Sequence, residues 1–541
     1  MVPEMIKYMM KLKMLMISAL ILALNNVNAQ QPVYRLNFDD FSFKEHLTPK
    51  DSAYYAVDLQ QSQYVKGLSG KALDLSSNAI LRRPVKLDKG ILPEFTEKTS
   101  FSLQIWVKTI ANARMGTPIM GNKIAEDGAT IGWQIYTQEN GAWALLLNDG
   151  KQRYDYKPTA ERQRINDGNW HQILFTVQRE THEVWIYLDG KNIAIYNTPG
   201  FGSLETKFST VIGGSDEKWE YGSNAQWNAF NGFVDEVKVW NRAISVTEVQ
   251  KQYLQFFPDR TKEETIVPDH LKVFTWNIWH GGHRYGQAVG LERVIETIKS
   301  SNADIVGLVE TYGSGAVIAD SLGYYFYLIS ANLSIMSRYP ILETVREFHP
   351  SNFGGVTLKL GPEKKLIYLN TWLNYLPDVD ASIRQEKKNA PQLIKEEAST
   401  RHAEIKEILK KIDPYLKNTD RLPVIMGGDF NMGSHLDWIE DTKAIHYGLT
   451  VEWPESLEML KAGFTDSYRK LHRNPLSDPG LTWGVRAAPT TDLYGLRDRI
   501  DFIYYKGKGL NPIESRVIDY HPVMFPSDHA ALITIFQLKK D

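Results

Sequence analysis

The sequence predicts two domains, an antiparallel β-sandwich followed by an α/β domain. The chain has 541 residues, which is too long for one small domain at the usual length of ~150 residues. Residues 33–257 consist of short alternating apolar runs broken by glycine, asparagine and aspartate. From residue 271, strand-like runs alternate with helical stretches instead. This change of pattern divides the chain into two structural classes.

Composition and charge exclude several classes of protein. Hydrophobic residues make up 43% of the chain and charged residues 23%, which is unlike a disordered or polytopic membrane protein. The 62 basic residues nearly balance the 64 acidic ones, giving a net charge of -2, so we expect no binding of bulk nucleic acid. The absence of cysteine excludes disulfides, thiolate metal sites and a cysteine nucleophile.

Residues 1–29 have the pattern of a secretory signal peptide. Three lysines precede an apolar run from Met14 to Leu24, and small residues lead to a predicted cleavage site near Ala29. The run is shorter than the ~20 residues that span a bilayer, so we expect no stable membrane anchor. Export without cysteine indicates a bacterial protein that is periplasmic or extracellular.

Residues 31–257 are predicted to form the β-sandwich. Phe101–Val107 and Glu183–Leu188 alternate as strands do, and Asp189-Gly190 after the second run is a hairpin-turn signal. Helical spacing first appears between Val246 and Leu254. Residues 258–270 are polar, contain two prolines and are predicted to be a linker.

Several motifs in this first region resemble the concanavalin-like, laminin-G-type jelly roll. The motifs are Ser102-Leu-Gln-Ile-Trp-Val107, Asp167-Gly-Asn-Trp-His171, Tyr187-Leu-Asp-Gly190, Ile212-Gly-Gly214 and the segment Phe233–Arg242. The resemblance implies the fold but not the ligand, because such sandwiches bind glycans, proteins or nothing identifiable.

The resemblance makes a glycan or cell-surface ligand a candidate partner of the sandwich. Trp219, Tyr221 and Trp227 could stack on sugars, or they could simply pack their loop onto the sandwich. A structural Ca²⁺ is a second candidate, with Asp39 and Asp235 as oxygen ligands.

The second region, residues 271–541, is predicted to be α/β. Leu271–Trp276 and Leu366–Asn370 have the composition of strands, whereas Leu291–Ser300 and Ala403–Leu416 carry apolar residues at helical spacing. The region ends in strands.

Polar motifs follow the predicted strands of this second region. The motifs are Thr275-Trp-Asn277, Val309-Glu310-Thr311, Gly427-Gly-Asp-Phe-Asn431, Arg499-Ile-Asp501 and Ser527-Asp-His529. Loops at strand ends can converge on one cleft. In this order the motifs resemble the endonuclease/exonuclease/phosphatase superfamily, and the resemblance extends from Leu271 to Leu538. It implies the DNase I-like four-layer α/β sandwich.

The resemblance implies a metal site. Hydrolysis of a phosphate ester needs a divalent cation to offset charge on the nonbridging oxygens. By the family pattern, Glu310 is the principal metal ligand, Asn277 lies beside it, and Asp528 is a second acidic contact. One carboxylate and one amide suit Mg²⁺, which keeps several water ligands, with Mn²⁺ as an alternative.

The resemblance also implies four catalytic residues. Asp429 would orient or deprotonate the attacking water, and Asn431 would bind a phosphate oxygen through its amide hydrogens. His529 would meet the phosphate while Asp501 holds its tautomer and orientation, because an imidazole bonded to a carboxylate favours the charged form.

The sequence departs from the family pattern at Trp372. Many members have a histidine or tyrosine there, but an indole cannot transfer a proton at neutral pH. Other candidates for contact with the substrate are His280 and His283, which flank two glycines, and Tyr375. Arg401, at the start of a predicted helix, would face either substrate or solvent.

The sequence therefore predicts an exported, metal-dependent phosphohydrolase, chiefly a phosphodiesterase, with an accessory binding sandwich. Two alternatives remain open. The protein could be a glycan-binding or adhesion protein whose α/β domain has lost catalysis, since Trp372 departs from the family pattern, or its substrate could be nucleic acid. A glycosidase sandwich is disfavoured because the first region lacks the paired glutamates that such an enzyme requires.

Overall fold

The computed structural model describes residues 31–39, 64–76, 84–87, 89–112, 116–126, 129–215, 230–260, 267–484 and 497–539. The predicted signal peptide and the aromatic residues Trp219, Tyr221 and Trp227 lie outside these residues. Within the described ranges, no helix is long and apolar enough to cross a membrane.

The N-terminal region is built almost entirely of strands. They are β1 (Tyr34–Leu36), β2 (Tyr64–Lys66), β3 (Lys71–Asp74), β4 (Val85–Leu87), β5 (Phe101–Lys108), β6 (Thr117–Gly121), β7 (Ile124–Glu126), β8 (Ala129–Thr137), β9 (Trp143–Asn148), β10 (Arg153–Tyr156), β11 (His171–Gln178), β12 (Glu183–Leu188), β13 (Lys191–Asn197), β14 (Thr210–Ile212) and β15 (Phe233–Trp240). In the described ranges, helices α1 (Ala160–Gln163) and α2 (Val246–Leu254) accompany these strands.

These strands form two facing antiparallel sheets. One has the order β2-β3-β15-β5-β11-β12-β13, with β1 beside β15, and the other has the order β10-β9-β8-β6-β14-β4, with β7 beside β8. Aromatic side chains from both sheets meet between them, as in the contact of the Trp133 and Phe175 rings at 5.9 Å. The predicted antiparallel β-sandwich of the jelly-roll class is confirmed, because alternate side chains of each strand point into one shared core.

The C-terminal region mixes strands and helices. Its strands are β16 (His270–Asn277), β17 (Ile305–Val309), β18 (Tyr325–Leu328), β19 (Leu333–Ser337), β20 (Ile341–Val345), β21 (Phe353–Lys359), β22 (Lys365–Trp372), β23 (Val424–Asp429), β24 (Thr465–Asp466), β25 (Asp501–Lys506), β26 (Leu510–Ile518) and β27 (Ala531–Leu538). Its helices are α3 (Gln287–Ser301), α4 (Gly315–Leu322), α5 (Val379–Arg384), α6 (Ala390–Glu397), α7 (Arg401–Leu416), α8 (Pro454–Lys461) and α9 (Ser467–Leu471), with 3₁₀ turns at His280–Gly282 and Glu440–Ile445.

The C-terminal elements pack as helix, sheet, sheet and helix. Strands β18-β19-β17-β16-β27-β26 face the sheet β20-β21-β22-β23-β25-β24 across a shared apolar core. Helix α7 covers the outside of the second sheet because Ile405, Ile408 and Ile412 fall on one helical face. Helix α3 covers the first sheet with Val294 and Ile298. The predicted four-layer α/β sandwich is confirmed.

The two domains are joined by a continuous sheet. Strand β13 of the sandwich pairs in parallel with β18, matching Ala194 with Phe326 and Tyr196 with Leu328. The side chain of Asn197 adds a hydrogen bond to the carbonyl of Ile329 at 3.0 Å. In the described part of the chain, one sheet of 14 strands therefore extends through both domains.

Buried polar contacts also cross this junction. Asp320 of α4 accepts hydrogen bonds from the Thr159 hydroxyl and, at 3.3 Å, from Arg162 Nε. Glu183 of β12 accepts a hydrogen bond from the Thr344 hydroxyl and pairs with Arg346 at 3.4 Å. Glu183 and Asp320 are almost fully buried, so separating the domains would remove the arginine that pairs with each carboxylate and leave Glu183 only its hydrogen bond from Trp185 Nε1.

We expect the two domains to unfold in a single transition. Ile195 of β13 is fully buried in the apolar core at the junction. An Ile195→Asp substitution should lower the free energy of unfolding of the whole chain by about 4 kcal/mol, since it buries a charge without a partner. Differential scanning calorimetry measures both the loss of unfolding free energy and the number of unfolding transitions. Ile110→Asp is the control, because Ile110 is 82% exposed. Two separate transitions in the unmodified protein would contradict the expectation.

Candidate active site

The predicted site residues converge at one edge of the two facing sheets. Asn277 ends β16, Glu310 follows β17, Asp429 ends β23 and Asp501 begins β25. Strands β16 and β17 are parallel, so Asn277 lies level with Val309, and Asp429 is paired with Asp501 across the second sheet. Packing of the two sheets brings both groups to the same cleft.

Asn277 links the carboxylates of the two sheets. Its Nδ2 donates to Glu310 Oε1 at 3.1 Å and to Asp429 Oδ2 at 3.2 Å, while its Oδ1 accepts from the Trp279 backbone N–H at 3.0 Å. The amide therefore presents nitrogen rather than oxygen to the acidic groups. In this orientation Asn277 positions the carboxylates, and the expected oxygen ligation of a metal would need the amide to turn over.

Glu310 lies on a strained segment of backbone. Its φ is 58°, and His280 and Asn431 have φ values of 52° and 51°. Positive φ is uncommon for residues with a Cβ and is retained chiefly where the surrounding structure enforces it, often at functional sites. Here the Glu310 N–H donates to Asn332 Oδ1 at 3.1 Å, and Glu310 Oε2 accepts from the His280 N–H at 3.0 Å. These bonds aim the carboxylate into the cleft.

His529 is buried against Asp501. Its Nδ1 lies 2.9 Å from Asp501 Oδ2. Burial opposes protonation of the imidazole, but the charges of Asp501, Asp429 and Asp528 outweigh burial and raise the pKa of His529 to about 10. At neutral pH the ring is therefore an imidazolium that can donate from Nε2 to an anionic oxygen.

Asp429 has the properties of a general base. Burial, followed by the charge of Asp501, raises the pKa of the Asp429 carboxyl to about 7. A carboxylate with a pKa near the working pH can take a proton from water and later release it.

The acidic cluster has the chemistry to hold a hard divalent cation. Asp501 Oδ1 and Asp528 Oδ1 are buried and accept no hydrogen bond from any described residue. Burial raises the pKa of the Asp528 carboxyl; the charge of His529 opposes this rise and the charge of Glu310 adds to it. Close carboxylate oxygens are the ligands that Mg²⁺ takes. Asp429, Asp501 and His529 also lie within ligating distance of one another. Glu310 and Asp528, whose charges interact, are a second pair of carboxylates that could hold a cation.

Both regions match known families. Residues 84–250 match the Concanavalin A-like lectin/glucanases superfamily, and residues 274–529 match the Endonuclease/Exonuclease/phosphatase family. Residues 274–529 are an endonuclease/exonuclease/phosphatase domain. This fold is that of phosphoesterases and nucleases, which typically depend on a divalent metal. The matches lie within the predicted domains, although the boundaries themselves stay predictions.

Individual relatives share parts of the chain. Uncharacterized protein F14F9.5 of Caenorhabditis elegans is 28% identical over 251 residues, which are 44% of this chain and 79% of that protein. Non-toxic nonhemagglutinin type C of Clostridium botulinum C phage is 24% identical over 229 residues, which are 39% of this chain and 17% of that protein.

Several solved structures are similar. An AP endonuclease from Archaeoglobus fulgidus is 17% identical with a TM-score of 0.37, covering 50% of this chain and 100% of that one. D. rerio TDP2 complexed with a single-strand DNA product is 18% identical with a TM-score of 0.35, covering 50% of this chain and 99% of that one. Our expectation that this chain binds no bulk nucleic acid stays a prediction.

Three candidate substrate contacts line the cleft of the endonuclease/exonuclease/phosphatase domain. The exposed ring of His280 stacks on Tyr312, with centroids 6.1 Å apart. Trp372 is paired with Asp429 in the sheet, and its ring is 6.0 Å from that of Tyr375, which is 58% exposed. These aromatic groups lie on both sides of the carboxylates.

The structure corrects the interpretation of His283 and Arg401. His283 Nε2 bonds to Ser314 Oγ at 2.9 Å and its Nδ1 bonds to the Gln287 carbonyl at 3.2 Å. Both ring nitrogens therefore have hydrogen-bond partners within the protein rather than in the substrate. Arg401 is 1% exposed and pairs with Glu397. Its guanidinium also donates to the carbonyls of Asn374 and Pro377. Arg401 therefore holds the turn that carries Tyr375 and reaches no substrate.

Asn431 already makes two hydrogen bonds within the protein. Its Nδ2 donates to the Leu373 carbonyl at 2.8 Å, and its N–H donates to Asp429 Oδ1 at 2.8 Å. An amide nitrogen carries two hydrogens, so the second remains for a phosphate oxygen.

Sequence reasoning missed three supporting residues. Ser527 Oγ donates to the Asn277 carbonyl at 2.7 Å and accepts from the His529 N–H at 3.1 Å, tying two motifs together. The Trp483 ring packs 4.8 Å from His529. Arg499, fully buried, pairs with Asp437 at 2.6 Å and fixes the start of β25. Ser527 and Arg499 belong to the strand-end motifs Ser527-Asp-His529 and Arg499-Ile-Asp501. Their place in these motifs is the sequence signal that could have identified them.

The Ca²⁺ site predicted at two aspartates of the sandwich stays a prediction. Asp39 Oδ1 accepts from the Lys71 N–H at 2.8 Å, and Asp235 Oδ2 accepts from the Leu68 N–H at 2.9 Å and the Ser69 N–H at 3.3 Å. Both carboxylates therefore brace the same backbone turn.

Proposed function

We propose that this protein is an exported, metal-dependent phosphohydrolase that acts chiefly on phosphodiesters. The observation that carries the proposal is the convergence of Glu310, Asp429 and the His529–Asp501 pair in one cleft, with buried carboxylate oxygens that have no described donor. Export is proposed on the signal-peptide pattern of residues 1–29.

Glu310 and Asp528 would hold the cation, for which Mg²⁺ is the first choice and Mn²⁺ the alternative. When bound, the cation supplies positive charge that offsets the charge of the nonbridging phosphate oxygens. Asn277 fixes the positions of the Glu310 and Asp429 carboxylates relative to each other, because its amide nitrogen donates a hydrogen bond to each.

The remaining residues would move protons and bind the phosphate. Asp429 Oδ2 takes a proton from the attacking water. With a pKa of about 7, the Asp429 carboxylate is a stronger base than an ordinary carboxylate and is still partly ionised at neutral pH. His529 donates from Nε2 to the phosphate while Asp501 holds Nδ1. The second amide hydrogen of Asn431 binds another phosphate oxygen. Together these donors meet the negative charge that develops during attack.

Removal of the metal tests the proposal. We expect the purified protein to hydrolyse bis-p-nitrophenyl phosphate, to lose this activity in a chelator and to regain it on addition of Mg²⁺ or Mn²⁺. Ca²⁺ should restore less activity, because its longer and more flexible coordination fits a compact site poorly. Turnover that persists after chelation would contradict metal dependence. The absence of turnover on any phosphoester would instead favour the adhesion alternative.

A nucleic-acid substrate is a second candidate. Tyr312 and Tyr375 are 48% and 58% exposed beside the cleft, and exposed aromatic faces stack on bases without regard to sequence. A panel of DNA, RNA, lipid, inositol-phosphate and sugar-phosphate esters separates the candidates. Faster turnover of nucleic acids that weakens in a Tyr375→Ala variant would favour the nuclease.

A further inference from the structure

A buried cluster of three ionisable side chains lies beside the turn of residues 374–377, which we call the Tyr375 turn. Glu397 ends α6, Arg401 begins α7, and Glu455 lies in the first turn of α8. Each of these three residues is 1% exposed. The mechanism proposed above uses none of them.

Arg401 connects this cluster to the Tyr375 turn. Its guanidinium donates to both oxygens of the Glu397 carboxylate, at 2.7 and 2.5 Å. It also donates to the carbonyls of Asn374 at 3.1 Å and Pro377 at 2.8 Å. Glu404 of α7 accepts from the Asn374 N–H at 2.9 Å. The turn is therefore fixed at both of its ends, chiefly by one guanidinium.

The carboxyl of Glu455 lacks a donor. Its Oε1 and Oε2 are buried and receive no hydrogen bond from another described residue. Its neighbours are the carboxyl of Glu397 and the guanidinium of Arg401. Arg401 already uses four of its five N–H donors on Glu397 and the turn. Two carboxyl groups can bond to each other only when one of them carries a proton.

The balance of charge also requires a proton on Glu455. The positive charge of Arg401 is matched by Glu397, so a second ionised carboxyl would be buried without a partner, which is costly. Burial, followed by the charge of Glu397, raises the pKa of Glu455 well above its ordinary value. At neutral pH Glu455 is therefore an uncharged acid whose O–H can donate to the Glu397 carboxylate.

Other titratable groups face the cluster from the elements packed around it. They are Glu404 and His402 of α7, Glu458 of α8, Tyr504 of β25 and the exposed His349. His402 pairs with Glu458 at 3.4 Å, and His349 faces Glu404. Burial raises the pKa of Tyr504, so its hydroxyl stays neutral. These groups would not offset a negative charge on Glu455.

We propose that Glu455 is a positioning residue for the Tyr375 turn. Its proton holds the Glu397–Arg401 pair in place at neutral pH, and loss of that proton to solvent at alkaline pH releases the turn and displaces the Tyr375 ring. Two ionised carboxylates compete for one guanidinium, whose bonds to carboxylates are stronger than its bonds to the uncharged carbonyls of the turn. Because Tyr375 contacts a substrate only in the function proposed above, this inference rests on that function.

Spin labelling tests the movement of the turn without any substrate. Because the chain has no cysteine, a Tyr375→Cys variant of the full-length protein carries one nitroxide at a unique position. We expect the mobile fraction of the label to rise at least about twofold from pH 7 to about pH 9.5. Adding Glu455→Gln should abolish this rise, because a glutamine amide still donates to Glu397 and cannot ionise.

The control for the label is Ile110→Cys, at an exposed residue of the sandwich, which should show no such change. A pH response at Tyr375→Cys that is equal with and without Glu455→Gln, or that is missing altogether, overturns the proposal.

The pH dependence of stability tests whether Glu455 keeps its proton in the fold. The ordinary pKa of a glutamate is 4.5, so between pH 5 and pH 7 the unfolded chain releases a proton that the folded chain retains. The free energy of unfolding of the unmodified protein should therefore fall with rising pH relative to that of Glu455→Gln. Differential scanning calorimetry measures this difference. Parallel pH profiles would show that Glu455 is ionised in the fold and would overturn the proposal.

Steady-state kinetics connects the turn to the substrate. From pH 7 to about pH 9.5, the KM of the unmodified protein for bis-p-nitrophenyl phosphate should rise at least about fivefold, the loss expected when one aromatic stacking contact is removed. Glu455→Gln should keep KM nearly constant, while kcat follows the same pH profile in both proteins. Glu452→Gln is the matched control, because Glu452 is exposed just before α8, and it should behave as the unmodified protein does.

The outcomes separate this inference from the proposed function. An equal rise of KM in the unmodified protein and in Glu455→Gln overturns the role of Glu455. If neither protein hydrolyses any phosphoester, the proposed function fails, and the spin label still decides whether Glu455 holds the turn.

Discussion

A Glu310→Gln variant should lower the kcat/KM for phosphodiester hydrolysis by about a thousandfold, the loss expected when a divalent cation no longer offsets transition-state charge. Glutamine keeps the size of the side chain, but it has one acceptor oxygen in place of two, so it can keep the hydrogen bond from Asn277 or the one from the His280 N–H and not both. It lacks the charge that a hard cation requires. The affinity for Mn²⁺, measured by calorimetry, should fall in parallel with activity.

The matched control for this variant is Glu292→Gln. Glu292 is an exposed residue of α3 in the same domain, so its substitution removes the same charge without touching the cleft. Both variants should melt close to the temperature of the unmodified protein. If Glu310→Gln retained near-normal hydrolysis or bound Mn²⁺ normally, Glu310 would not be the principal metal ligand.

An Asp501→Asn variant should lower kcat by a factor between about a hundred and ten thousand, the usual range for loss of positioned acid–base catalysis. Asp501 is fully buried and accepts from His529 Nδ1, and its charge is the largest factor favouring the protonated ring. An asparagine can present its amide nitrogen to Nδ1 and so select the wrong tautomer. We expect KM to change much less than kcat.

A double variant separates a shared role from general damage to the fold. If Asp501 acts through His529, then Asp501→Asn/His529→Gln should be no less active than His529→Gln alone, because residues that act as a unit have non-additive effects. Independent, multiplicative losses would show that Asp501 has another function. Far-UV circular dichroism and the melting temperature serve as controls for folding.

The shared sheet changes the interpretation of the accessory domain. The sequence suggests a sandwich attached by a polar linker, residues 258–270, which could move freely. The parallel pairing of β13 with β18 and the buried contacts of Glu183 and Asp320 fix its position instead. A ligand held in the sandwich would therefore lie at a constant distance and direction from the phosphohydrolase cleft.

The sequence by itself determined the fold class of each domain and most of the secondary structure. The helix from Val246 to Leu254 was predicted to the residue, and β16 begins only one residue earlier than expected, at His270. Periodicity along a strand or helix is set by neighbouring residues, so it can be read locally. For the same reason the motifs at strand ends identified Glu310, Asp429, Asp501 and His529, which the structure brings together.

Only the tertiary structure decided where the polar side chains point and which edge strands meet. Arg401 begins a helix, as predicted, but its guanidinium is turned inward to Glu397. Asn277 presents its nitrogen rather than its oxygen to the carboxylates. The pairing of β13 with β18 joins residues about 130 positions apart. Each of these outcomes depends on residues that are distant in the chain. Such partners cannot be identified from the pattern of neighbouring residues, because only the packing of the folded chain brings them into contact.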